Sequence, residues 1–568
     1  MSTRLLIIGG VAGGATAGAR ARRLDEHAQI TILERGPYVS YANCGLPYFI
    51  ARQIEERDRL LLATPESFAT RYRIDVKVQT EAVELDRGGK RVRVRGPEGE
   101  AWLPYDRLIL GQGGLPVRPP LPGSDASHVF TLWSVPDMDR LDTYIATRQP
   151  KSAVVVGGGF IGLEMAEAFH ERGIATTVVE LLPTVMSLMD AEFGVQVARE
   201  LERHRVQVVT DIGVRAVYAD RHEVELTDGR TIPAELVLFA TGVRPELALA
   251  RQAGLTIGES GGLVVNEYLQ TSDPDIYAAG DMIEVEHRVS GKKARVPLAG
   301  PANRQGRIAA SNAMGVPMPY GGALGTSVVK IFDATAGITG LSERAARAAG
   351  FDVGVAIVHA NHHAKYYPGA RELSLKLVYD RSNARLLGGQ AFGHAGVDKR
   401  IDVLAMALLG KMTLHDLARV DLSYAPPYSS ANDPVNVAAF VGENDVAGYS
   451  PNITATQLAD ALQSATPPLV LDVRTTTEYA AGHIRGAVNI PVDDVRDRLH
   501  ELPLDRDIAI HCKSGFRGHL AARILRQRGF ERLVNVTGGW TSFELECSER
   551  TRKQQLSEAL RCVTGPEH

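Results

Sequence analysis

Two copies of one local pattern constrain the fold of this chain more than any other feature. Each copy runs from a short apolar strand through a glycine-rich turn into a helix, at residues 4–19 and again at 153–169. The second copy places Gly157, Gly159 and Gly162 in the spacing G-x-G-x-x-G, which lets the backbone approach a pyrophosphate at a helix N-terminus. The repeat predicts an α/β protein with two Rossmann-like dinucleotide-binding domains.

The first copy is less regular, because Val11 stands where the middle glycine is expected, between Gly9 and Gly14. Each copy is followed by a strand that leads to an acidic residue, Glu34 in the first and Glu180 in the second. A carboxylate at this distance accepts hydrogen bonds from ribose hydroxyls. It also repels a 2′-phosphate, so Glu180 favours NADH as the hydride donor and leaves NADPH as the alternative.

Length and composition limit the possible classes of protein. A chain of 568 residues exceeds one hydrophobic core and corresponds to roughly three to five domains. The formal net charge of -4 gives no general attraction to nucleic acid or membranes. Neither a leader pattern nor an apolar run of about 20 residues is found, so we predict a cytoplasmic protein. The four cysteines, which predict reactive thiols rather than a disulfide scaffold or a metal site, are Cys44, Cys512, Cys547 and Cys562.

Two further motifs point to a family. The segment TSDPDIYAAGD, which ends at Asp281, resembles the second flavin-contacting motif of flavoproteins with two dinucleotide domains. The segment LVLFATGVRP, which contains Gly242, resembles their crossing between the two domains. Together these features resemble the pyridine nucleotide-disulfide oxidoreductases from residue 4 to about residue 441.

That resemblance implies bound FAD and NADH and a specific domain organisation. The domains that it implies are an FAD-binding domain at 1–115 and 245–324, an NAD-binding domain at 116–244, and an α+β dimerisation domain at 325–442. The cofactor contacts that it implies are Gly9, Gly10, Ala12, Gly13, Gly14, Glu34, Arg35, Gly157, Gly159, Gly162, Glu180, Gly242, Gly280 and Asp281.

The motif SYANCGLPY contains a single cysteine, Cys44, and Phe49 stands five positions later, where glutathione reductase-like enzymes have a second one. A lone cysteine beside a flavin cycles through a mixed disulfide, a persulfide or a sulfenic acid, so the substrate supplies the second sulfur or oxygen. A small buried hydrophobic residue is the ordinary alternative for a lone cysteine. The glycine and polar neighbours of Cys44 favour catalysis.

SYANCGLPY and the helix VAGGATAGARARR resemble the coenzyme A-disulfide reductase subgroup, including its persulfide- and polysulfide-reducing members. The motifs HAKYYPG and YAPPYSSANDP resemble segments that, in this subgroup, bring Tyr367 and Tyr424 to the active site of a partner subunit. KRIDVLAMAL, from Lys399, resembles the helix of the dimer interface. A homodimer with composite active sites follows from the resemblance; without it, the tyrosines would be interpreted as core aromatics.

Thr16, Arg20 and Arg23 follow spacings of four and three and therefore share one helix face, where two guanidiniums form an anion site. Coenzyme A carries a pyrophosphate and a 3′-phosphate, for which arginine is well suited. At position 72 the family has a lysine, whereas this chain has Tyr72 beside Arg71. The coenzyme A contacts that the resemblance implies, with Arg71 added, are Thr16, Arg20, Arg23, Ser40, Asn43, Asn303, His363, Asn432 and Asn436.

After a turn-rich stretch at 443–454, which predicts a linker, strands and helices alternate again in a parallel α/β pattern at 455–548. Cys512 follows a strand and precedes a helix, so backbone amides would surround its sulfur. The runs DVRTTTEYAAGHIRGAVNIP, CKSGFR and GGW resemble a single-domain rhodanese. That resemblance implies that Cys512 accepts a sulfane sulfur as a persulfide, stabilised by Arg517.

Only four residues separate Cys512 from Arg517, whereas related phosphate- and arsenate-handling domains have one more. Purely regulatory relatives usually lack the cysteine. Residues 549–568 form a charged tail, and Cys547 and Cys562 are interpreted as incidental or as resolving thiols.

The expected activity is NADH-dependent reduction of coenzyme A persulfide, polysulfide or coenzyme A disulfide through Cys44, with Cys512 transferring sulfane sulfur. Two alternatives stay open. One is an NADH oxidase or peroxidase, although such enzymes usually carry a histidine where this chain has Ala12. The other is a redox sensor of sulfane sulfur that signals through dimer rearrangement.

Overall fold

A computed structural model describes residues 2–552 and 562–564, with side chains up to residue 550. The chain divides into two compact units. The first contains the residues up to Val185 together with Glu202–Gly325, and the second contains Met186–Leu201 and the residues from Thr326 onward. Within the described ranges, every helix is too short or too polar to cross a bilayer.

The first sheet of the first unit is parallel and carries the first glycine turn. In spatial order its strands are Ile276–Ala278, Arg107–Leu110, Arg4–Ile8, Gln29–Leu33 and Asp75–Lys77. The turn leads into the helix Ala12–Leu24, which packs on the helix Ala299–Ala313. This contact is so close that a methyl group added at Gly306 would lie 2.1 Å from the carbonyl oxygen of Gly13. The predicted strand, turn and helix are confirmed.

The second sheet repeats this arrangement around the second glycine turn. Its parallel strands are Gln207–Val209, Ala175–Val179, Ser152–Val156, Leu236–Phe239 and Val129–Phe130. The helices Val135–Arg148 and Phe160–Glu171 belong to the same region. Gly157 has φ +109°, and a methyl group there would lie 2.4 Å from the carbonyl oxygen of Ala240, so only glycine fits. The prediction of two Rossmann-like domains is therefore confirmed.

Smaller elements complete the first unit. The antiparallel sheets are Glu81–Asp86 with Arg91–Gly96 and Gly99–Pro104, Val214–Tyr218 with Glu223–Leu226 and Thr231–Pro233, and Gly114–Pro116 with Val243–Pro245. A mixed sheet joins Leu263–Val264, Ile283–Glu286 and Lys293–Ala294. The short helices are Asn43–Gly45, Leu46–Ile50, Arg57–Leu60, Pro65–Tyr72 and Ala248–Gln252.

The second unit begins with an antiparallel sheet of five strands. Their spatial order is Ser327–Ile331, Ala334–Gly340, Leu386–Gly393, Glu372–Asp380 and Val353–Asn361, which is an edge strand of this sheet. The accompanying helices are Ala191–Arg203, Glu343–Ala349, Val397–Leu409, Leu414–Arg419 and Pro434–Val446. This α+β arrangement agrees with the predicted dimerisation domain.

A buried lysine lies inside this α+β region. The ammonium of Lys376 is 2.9 Å from Asp190, 2.5 Å from Glu192 and 2.8 Å from Glu343. Three carboxylates so close together could hold a metal ion, but the lysine lies among them. Burial alone would lower the pKa of Lys376, and the three carboxylates outweigh burial and raise it.

The last region is a parallel sheet with helices. Its strands are Asn452–Ile453, Leu533–Val536, Ile508–His511, Leu469–Asp472 and Val488–Asn489. Its helices are Ala455–Ala461, Thr476–Ala481, Leu499–Glu501, Phe516–Arg526 and Gly539–Arg552. A further pair joins Gly482–Ile484 to Cys562–Thr564. The predicted α/β domain is confirmed.

The linker prediction for 443–454 is wrong at both ends. The helix Pro434–Val446 continues through its first residues, and the strand Asn452–Ile453 uses two of its last. The physical reason is Asp445, which is buried and accepts hydrogen bonds from the Tyr379 hydroxyl at 2.7 Å and from Arg381 Nε at 3.1 Å. A polar residue with buried partners belongs to a packed element.

The tail prediction for 549–568 also needs a correction, because the helix Gly539–Arg552 extends into it. Cys547 lies in this helix and is buried, which argues against a role as an accessible resolving thiol. Cys562 begins a described strand, but its side chain lies outside the described side chains.

Candidate functional site

A cavity of about 480 Å³ lies beside the first glycine turn. The predicted cofactor contacts that line it are Gly9, Ala12, Gly13, Glu34, Arg35, Gly280 and Asp281. A helix N-terminus suits a pyrophosphate, and a carboxylate at the end of the second strand suits a ribose. Burial raises the pKa of Asp281 to about 6. This set of donors and acceptors fits a bound dinucleotide such as FAD.

The two acidic residues behind the turns are held in the same way. Glu34 accepts hydrogen bonds from the amides of Gly10 at 2.9 Å and Gly36 at 2.7 Å. Glu180 accepts them from the amides of Gly158 at 2.7 Å and Leu182 at 2.8 Å. Both carboxylates are thus fixed at the places where the sequence predicted ribose contacts.

The middle position of the first turn is Val11, whereas that of the second turn is Gly159. A methyl group added at Gly159 would meet no described atom within 4 Å, so space is open in front of the second turn. A methyl group at Gly162 would instead lie 1.9 Å from the carbonyl oxygen of Gly157. The second turn therefore has the close internal packing and the open front that a pyrophosphate needs. It fits a nicotinamide dinucleotide.

Cys44 lies in the short helix Asn43–Gly45, directly before the helix Leu46–Ile50. The residue is exposed, and its sulfur is 4.0 Å from the side-chain oxygen of Asn43, which lines the cavity. Partial burial of the thiol, followed by the carboxylates of Glu164 and Asp281, raises the pKa of Cys44. The thiol is accessible, but negative charges nearby disfavour its thiolate.

Glu164 is a functional candidate that the sequence prediction missed. It lies on the helix Phe160–Glu171, and its carboxylate accepts a hydrogen bond from the Tyr48 hydroxyl at 3.3 Å. Burial raises the pKa of Glu164 to about 7. Two acidic residues inside the apolar run FIGLEMAEAF, Glu164 and Glu167, were the available signal, because a carboxyl group in such a helix is seldom buried without a role.

The predicted coenzyme A contacts of the first unit are partly assembled. The Thr16 hydroxyl donates to the side-chain oxygen of Asn303 at 2.7 Å, and Arg20 Nε donates to Ser311 Oγ at 3.0 Å. Burial and then the neighbouring charges of Arg307 and Arg23 lower the pKa of Arg20. The cationic face therefore includes Arg307, which the sequence prediction omitted.

Two other predicted contacts, Ser40 and Arg71, lie in neighbouring segments. Ser40 has φ +48° and donates its amide to the Gly10 carbonyl at 2.8 Å, so it is tied to the first turn. Arg71 is exposed at the end of the helix Pro65–Tyr72. The buried Arg22 holds the following turn by donating to the carbonyl of Tyr72 at 2.7 Å.

In the second unit, the tyrosines predicted to reach a partner subunit lie at the surface. The Tyr424 hydroxyl lies 2.9 Å from the hydroxyl of Tyr366, and both residues are exposed. Tyr367 instead stacks edge-on against His363, with ring centroids 5.6 Å apart. Tyr367 is 42% exposed and Tyr424 is 48% exposed, so both can reach a partner subunit, and their role there stays a prediction.

The predicted contact at Asn436 is also corrected. Its side-chain nitrogen donates to the carbonyls of Leu417 at 2.9 Å and Val420 at 3.1 Å, and its oxygen accepts from the amide of Asp433. This buried side chain caps the start of its own helix through its oxygen and the end of the helix Leu414–Arg419 through its nitrogen. Asn432 is exposed, whereas His363 is buried with Nδ1 at 2.6 Å from the His362 ring.

The sulfur of Cys512 is enclosed by its loop. The residue is 1% exposed, and the Gly515 amide donates to its sulfur at 3.1 Å. Behind the loop, the Trp540 amide donates to the Cys512 carbonyl at 2.7 Å, and the Thr541 amide donates to the Lys513 carbonyl at 3.0 Å. The backbone of Cys512 and Lys513 is therefore held from behind.

Arg517, the predicted anion contact, is bound to a carboxylate. Its two terminal nitrogens donate to the two oxygens of Glu478 at 2.7 Å each. The Arg517 guanidinium is the main reason that the pKa of Glu478 is lowered to about 2. The sequence prediction quoted this glutamate within its motif but gave it no role.

A buried ion pair lies beneath the Cys512 loop. Asp472 and Arg474 are nearly inaccessible to solvent, and Arg474 Nη2 lies 2.6 Å from Asp472 Oδ2. Arg474 also stacks on Trp540, 4.5 Å from the ring centroid. Burial is the main reason that the pKa of His511, 3.6 Å from Asp472, is lowered to about 4.

The edge strand Val353–Asn361 meets the segment behind the Cys512 loop. The Thr537 hydroxyl accepts from the amide of Ile357 at 2.7 Å and donates to its carbonyl at 3.2 Å. His359 bridges Ser374 Oγ at 2.9 Å and Ser542 Oγ at 2.8 Å. Burial, followed by the charge of Lys513, lowers the pKa of His359 to about 4.

Known families match almost the whole chain. Residues 3–306 match "Pyridine nucleotide-disulphide oxidoreductase", residues 326–434 match the dimerisation domain of that family, and residues 454–546 match "Rhodanese-like domain". A curated relative, the NAD(P)H coenzyme A polysulfide/persulfide reductase of Pyrococcus horikoshii, is 37% identical over 442 residues. That alignment covers 78% of this chain and 98% of the relative.

Two solved structures resemble the full chain. Reduced CoADR-RHD of Bacillus anthracis has a TM-score of 0.94 and 42% identity, covering 97% of this chain and 99% of that one. The NAD-dependent persulfide reductase of A. fulgidus has a TM-score of 0.88 and 37% identity, covering 95% of this chain and 99% of that one. The chain therefore belongs to the pyridine nucleotide-disulphide oxidoreductase family and carries a rhodanese-like domain after its dimerisation domain.

Proposed function

We propose that this protein uses NADH to reduce coenzyme A persulfide, polysulfide or coenzyme A disulfide through Cys44. Cys512 transfers sulfane sulfur to or from the same pool. The observation that carries the proposal is an exposed lone thiol beside a dinucleotide cavity, in a chain that also encloses a second thiol in a rhodanese-like loop. The names of the relatives support the same substrates.

The cofactor sites follow from the two glycine turns. The first turn, Glu34 and Asp281 would hold FAD, and the second turn and Glu180 would hold NADH. When bound, the flavin relays two electrons from the nicotinamide to the sulfur on Cys44. The fixed carboxylate of Glu180 repels a 2′-phosphate, so NADH is the preferred donor.

Cys44 acts as the nucleophile in this proposal. Its thiolate attacks the outer sulfur of a persulfide; a new sulfur–sulfur bond forms at Cys44, and the old one breaks to release the coenzyme A thiolate. Two electrons and one proton then cleave the cysteine persulfide to the Cys44 thiolate and hydrosulfide. Glu164 holds a proton close to neutral pH and is the nearby group suited to exchanging it.

The substrate carrier is recognised by the cationic face and by the tyrosine pair. Arg20, Arg23 and Arg307 offer guanidiniums to the phosphates, beside the hydrogen-bonded pair of Thr16 and Asn303. In a homodimer, Tyr367 and Tyr424 of one subunit would complete the Cys44 site of the other, with the Tyr366 hydroxyl 2.9 Å from that of Tyr424.

The test compares the wild type with Cys44→Ser and Cys512→Ser. We expect NADH oxidation and sulfide release from coenzyme A persulfide to vanish in Cys44→Ser and to persist in Cys512→Ser. Sulfur transfer to cyanide should show the reverse pattern. Full reductase activity without Cys44 would refute the mechanism.

Two further assays separate the alternatives. Faster NADH turnover with hydrogen peroxide than with any sulfur substrate would favour a peroxidase. Stoichiometric oxidation of NADH without steady-state turnover would favour a redox sensor.

A further inference from the structure

The charge of the sulfur-transfer loop is already compensated inside the protein. Arg517 is bound through both terminal nitrogens to the carboxylate of Glu478, which also accepts hydrogen bonds from the amide and hydroxyl of Thr475 at 3.0 Å. These contacts fix Glu478 in the capping box of the helix Thr476–Ala481. Arg517 also interacts with the sulfur of Cys512, so its guanidinium is shared between an internal carboxylate and the thiol. It therefore presents little net positive charge to an incoming anion.

Lys513, the other cation of the loop, does not supply the positive charge that Glu478 neutralises on Arg517. Lys513 is exposed, and its charge acts on His359, which belongs to the edge strand behind the loop. At the start of the following helix, the apolar side chain of Phe516 is 69% exposed. The mouth of the loop thus combines amide donors, a neutralised arginine and an apolar side chain.

Sulfur donors differ in the charge of the group that they leave behind. When the Cys512 thiolate attacks the sulfane sulfur of thiosulfate, the donor's sulfur–sulfur bond breaks and sulfite departs with two negative charges. When it attacks the outer sulfur of an organic persulfide, a thiolate departs with one. In both cases Cys512 ends as a persulfide anion without net oxidation or reduction. A doubly charged leaving group needs an available cation more than a singly charged one.

We propose that Glu478 is a specificity-determining residue, which neutralises Arg517 and so favours thiol-bound persulfides over thiosulfate as sulfur donors to Cys512. This inference rests on the function proposed for Cys512. It assigns to the loop the same class of substrate that Cys44 reduces, a persulfide on an organic thiol.

The experiment measures thiocyanate formation from cyanide in the full-length protein, with thiosulfate or glutathione persulfide as the donor. Glu478→Gln keeps a side-chain oxygen for Thr475 and removes the charge that neutralises Arg517. We expect kcat/KM for thiosulfate to rise about fivefold to tenfold, mainly through KM, because one charge-assisted hydrogen bond becomes available. The value for glutathione persulfide should change less than about twofold, since its leaving group needs less compensation.

Glu501→Gln is the matched control. Glu501 pairs with Arg498 in the same domain at 2.6 Å, and both side chains are partly exposed. We expect neither donor to be affected by that change.

Three outcomes would count against the inference. An unchanged ratio between the two donors in Glu478→Gln would refute it, and loss of both activities would assign the pair a purely structural role. Absence of Cys512-dependent transfer from both donors in the wild type would refute the function proposed for Cys512 itself. Comparison with Cys512→Ser distinguishes this last outcome from the first two.

Discussion

The two reactive cysteines of this chain lie in opposite surroundings. Cys44 is exposed, and partial burial of its thiol, followed by the carboxylates of Glu164 and Asp281, raises its pKa. Cys512 is 1% exposed, receives the amide of Gly515, and lies in a loop whose backbone is held from behind. One thiol is open and unassisted by local positive charge, whereas the other is enclosed by hydrogen-bond donors.

This difference explains how a single chain can keep two sulfur reactions chemically separate. A persulfide anion on Cys512 would find amide donors already in place, so the loop suits a sulfur that has to be held. At Cys44 a backbone hydrogen bond is outweighed by burial and by nearby carboxylates, so a sulfur placed there is suited to rapid removal. Each prediction below tests whether the two sites are as independent as this contrast implies.

The largest expected effect is at the second glycine turn. A side chain at Gly162 would overlap the Gly157 carbonyl oxygen, so Gly162→Val should distort the proposed NADH site. We expect NADH-dependent sulfide release to fall by about two orders of magnitude or more, as expected when a substrate is misplaced. Thiocyanate formation by Cys512 should stay near the wild-type rate.

Gly173→Ala is the matched control for that change. Gly173 also lies in the second dinucleotide region, but an added methyl group there meets no described atom within 4 Å. Its φ of +72° predicts a modest stability loss without loss of NADH turnover. Equal loss of both activities in Gly162→Val would show that the two sites are coupled.

The next effect concerns the ion pair beneath Cys512. Asp472→Asn leaves the buried guanidinium of Arg474 without its counter-charge, which should cost about 3–5 kcal/mol of unfolding free energy. The measurement is thermal inactivation of thiocyanate formation, compared with thermal inactivation of NADH oxidation in the same sample. Asp507→Asn, which removes an exposed partner of Arg532, serves as the control. Parallel inactivation of both activities would contradict independent stability of the two sites.

Acid should weaken the surroundings of Cys512 in a defined pH window. The pKa values of His359 and His511 are lowered to about 4, whereas an unfolded histidine titrates near 6.5. Between these values the unfolded chain binds more protons, so stability is complete above about pH 6.5 and falls as the pH drops toward 4. Each histidine should contribute about 3 kcal/mol over this window.

The measurement is the thermal midpoint for loss of thiocyanate formation between pH 7.5 and 4.5. His359→Gln keeps a polar side chain between Ser374 and Ser542 but cannot titrate, so its midpoint should depend less steeply on pH. A slope equal to that of the wild type would exclude His359 as a source of the acid sensitivity.

The sequence predicted the parts of these sites that depend on local chemistry. The glycine turns, Glu34, Glu180 and the strand before Cys512 all follow from short-range spacing, and the structure contains them. Contacts between distant segments left no comparable signal. Nothing in the spacing of HAKYYPG distinguishes Tyr366 from Tyr367, because both are exposed and only the folded turn decides which one meets Tyr424.

Buried polar residues are poorly predicted from sequence. Asn436 and Asp445 look like surface or substrate-binding residues in the sequence, yet both are satisfied inside the fold. Arg517 was predicted correctly as a residue of the loop, but its pairing with Glu478 joins positions 39 residues apart. Such pairings depend on tertiary packing, which residue type and spacing do not report.

The smallest expected effect is a change in the alkylation rate of Cys44. Glu164→Gln removes a nearby negative charge, so the pKa of Cys44 should fall and its alkylation by iodoacetamide near pH 7.5 should accelerate about twofold to fivefold. The rate is followed at the level of individual peptides by mass spectrometry, across a pH series.

Glu171→Gln, at the exposed end of the same helix, is the matched control. Alkylation of Cys512 should be unchanged in both variants, because its reactivity depends on amides of its own loop. An unaltered pH profile for Cys44 in Glu164→Gln would mean that the carboxylate does not set the reactivity of the open thiol.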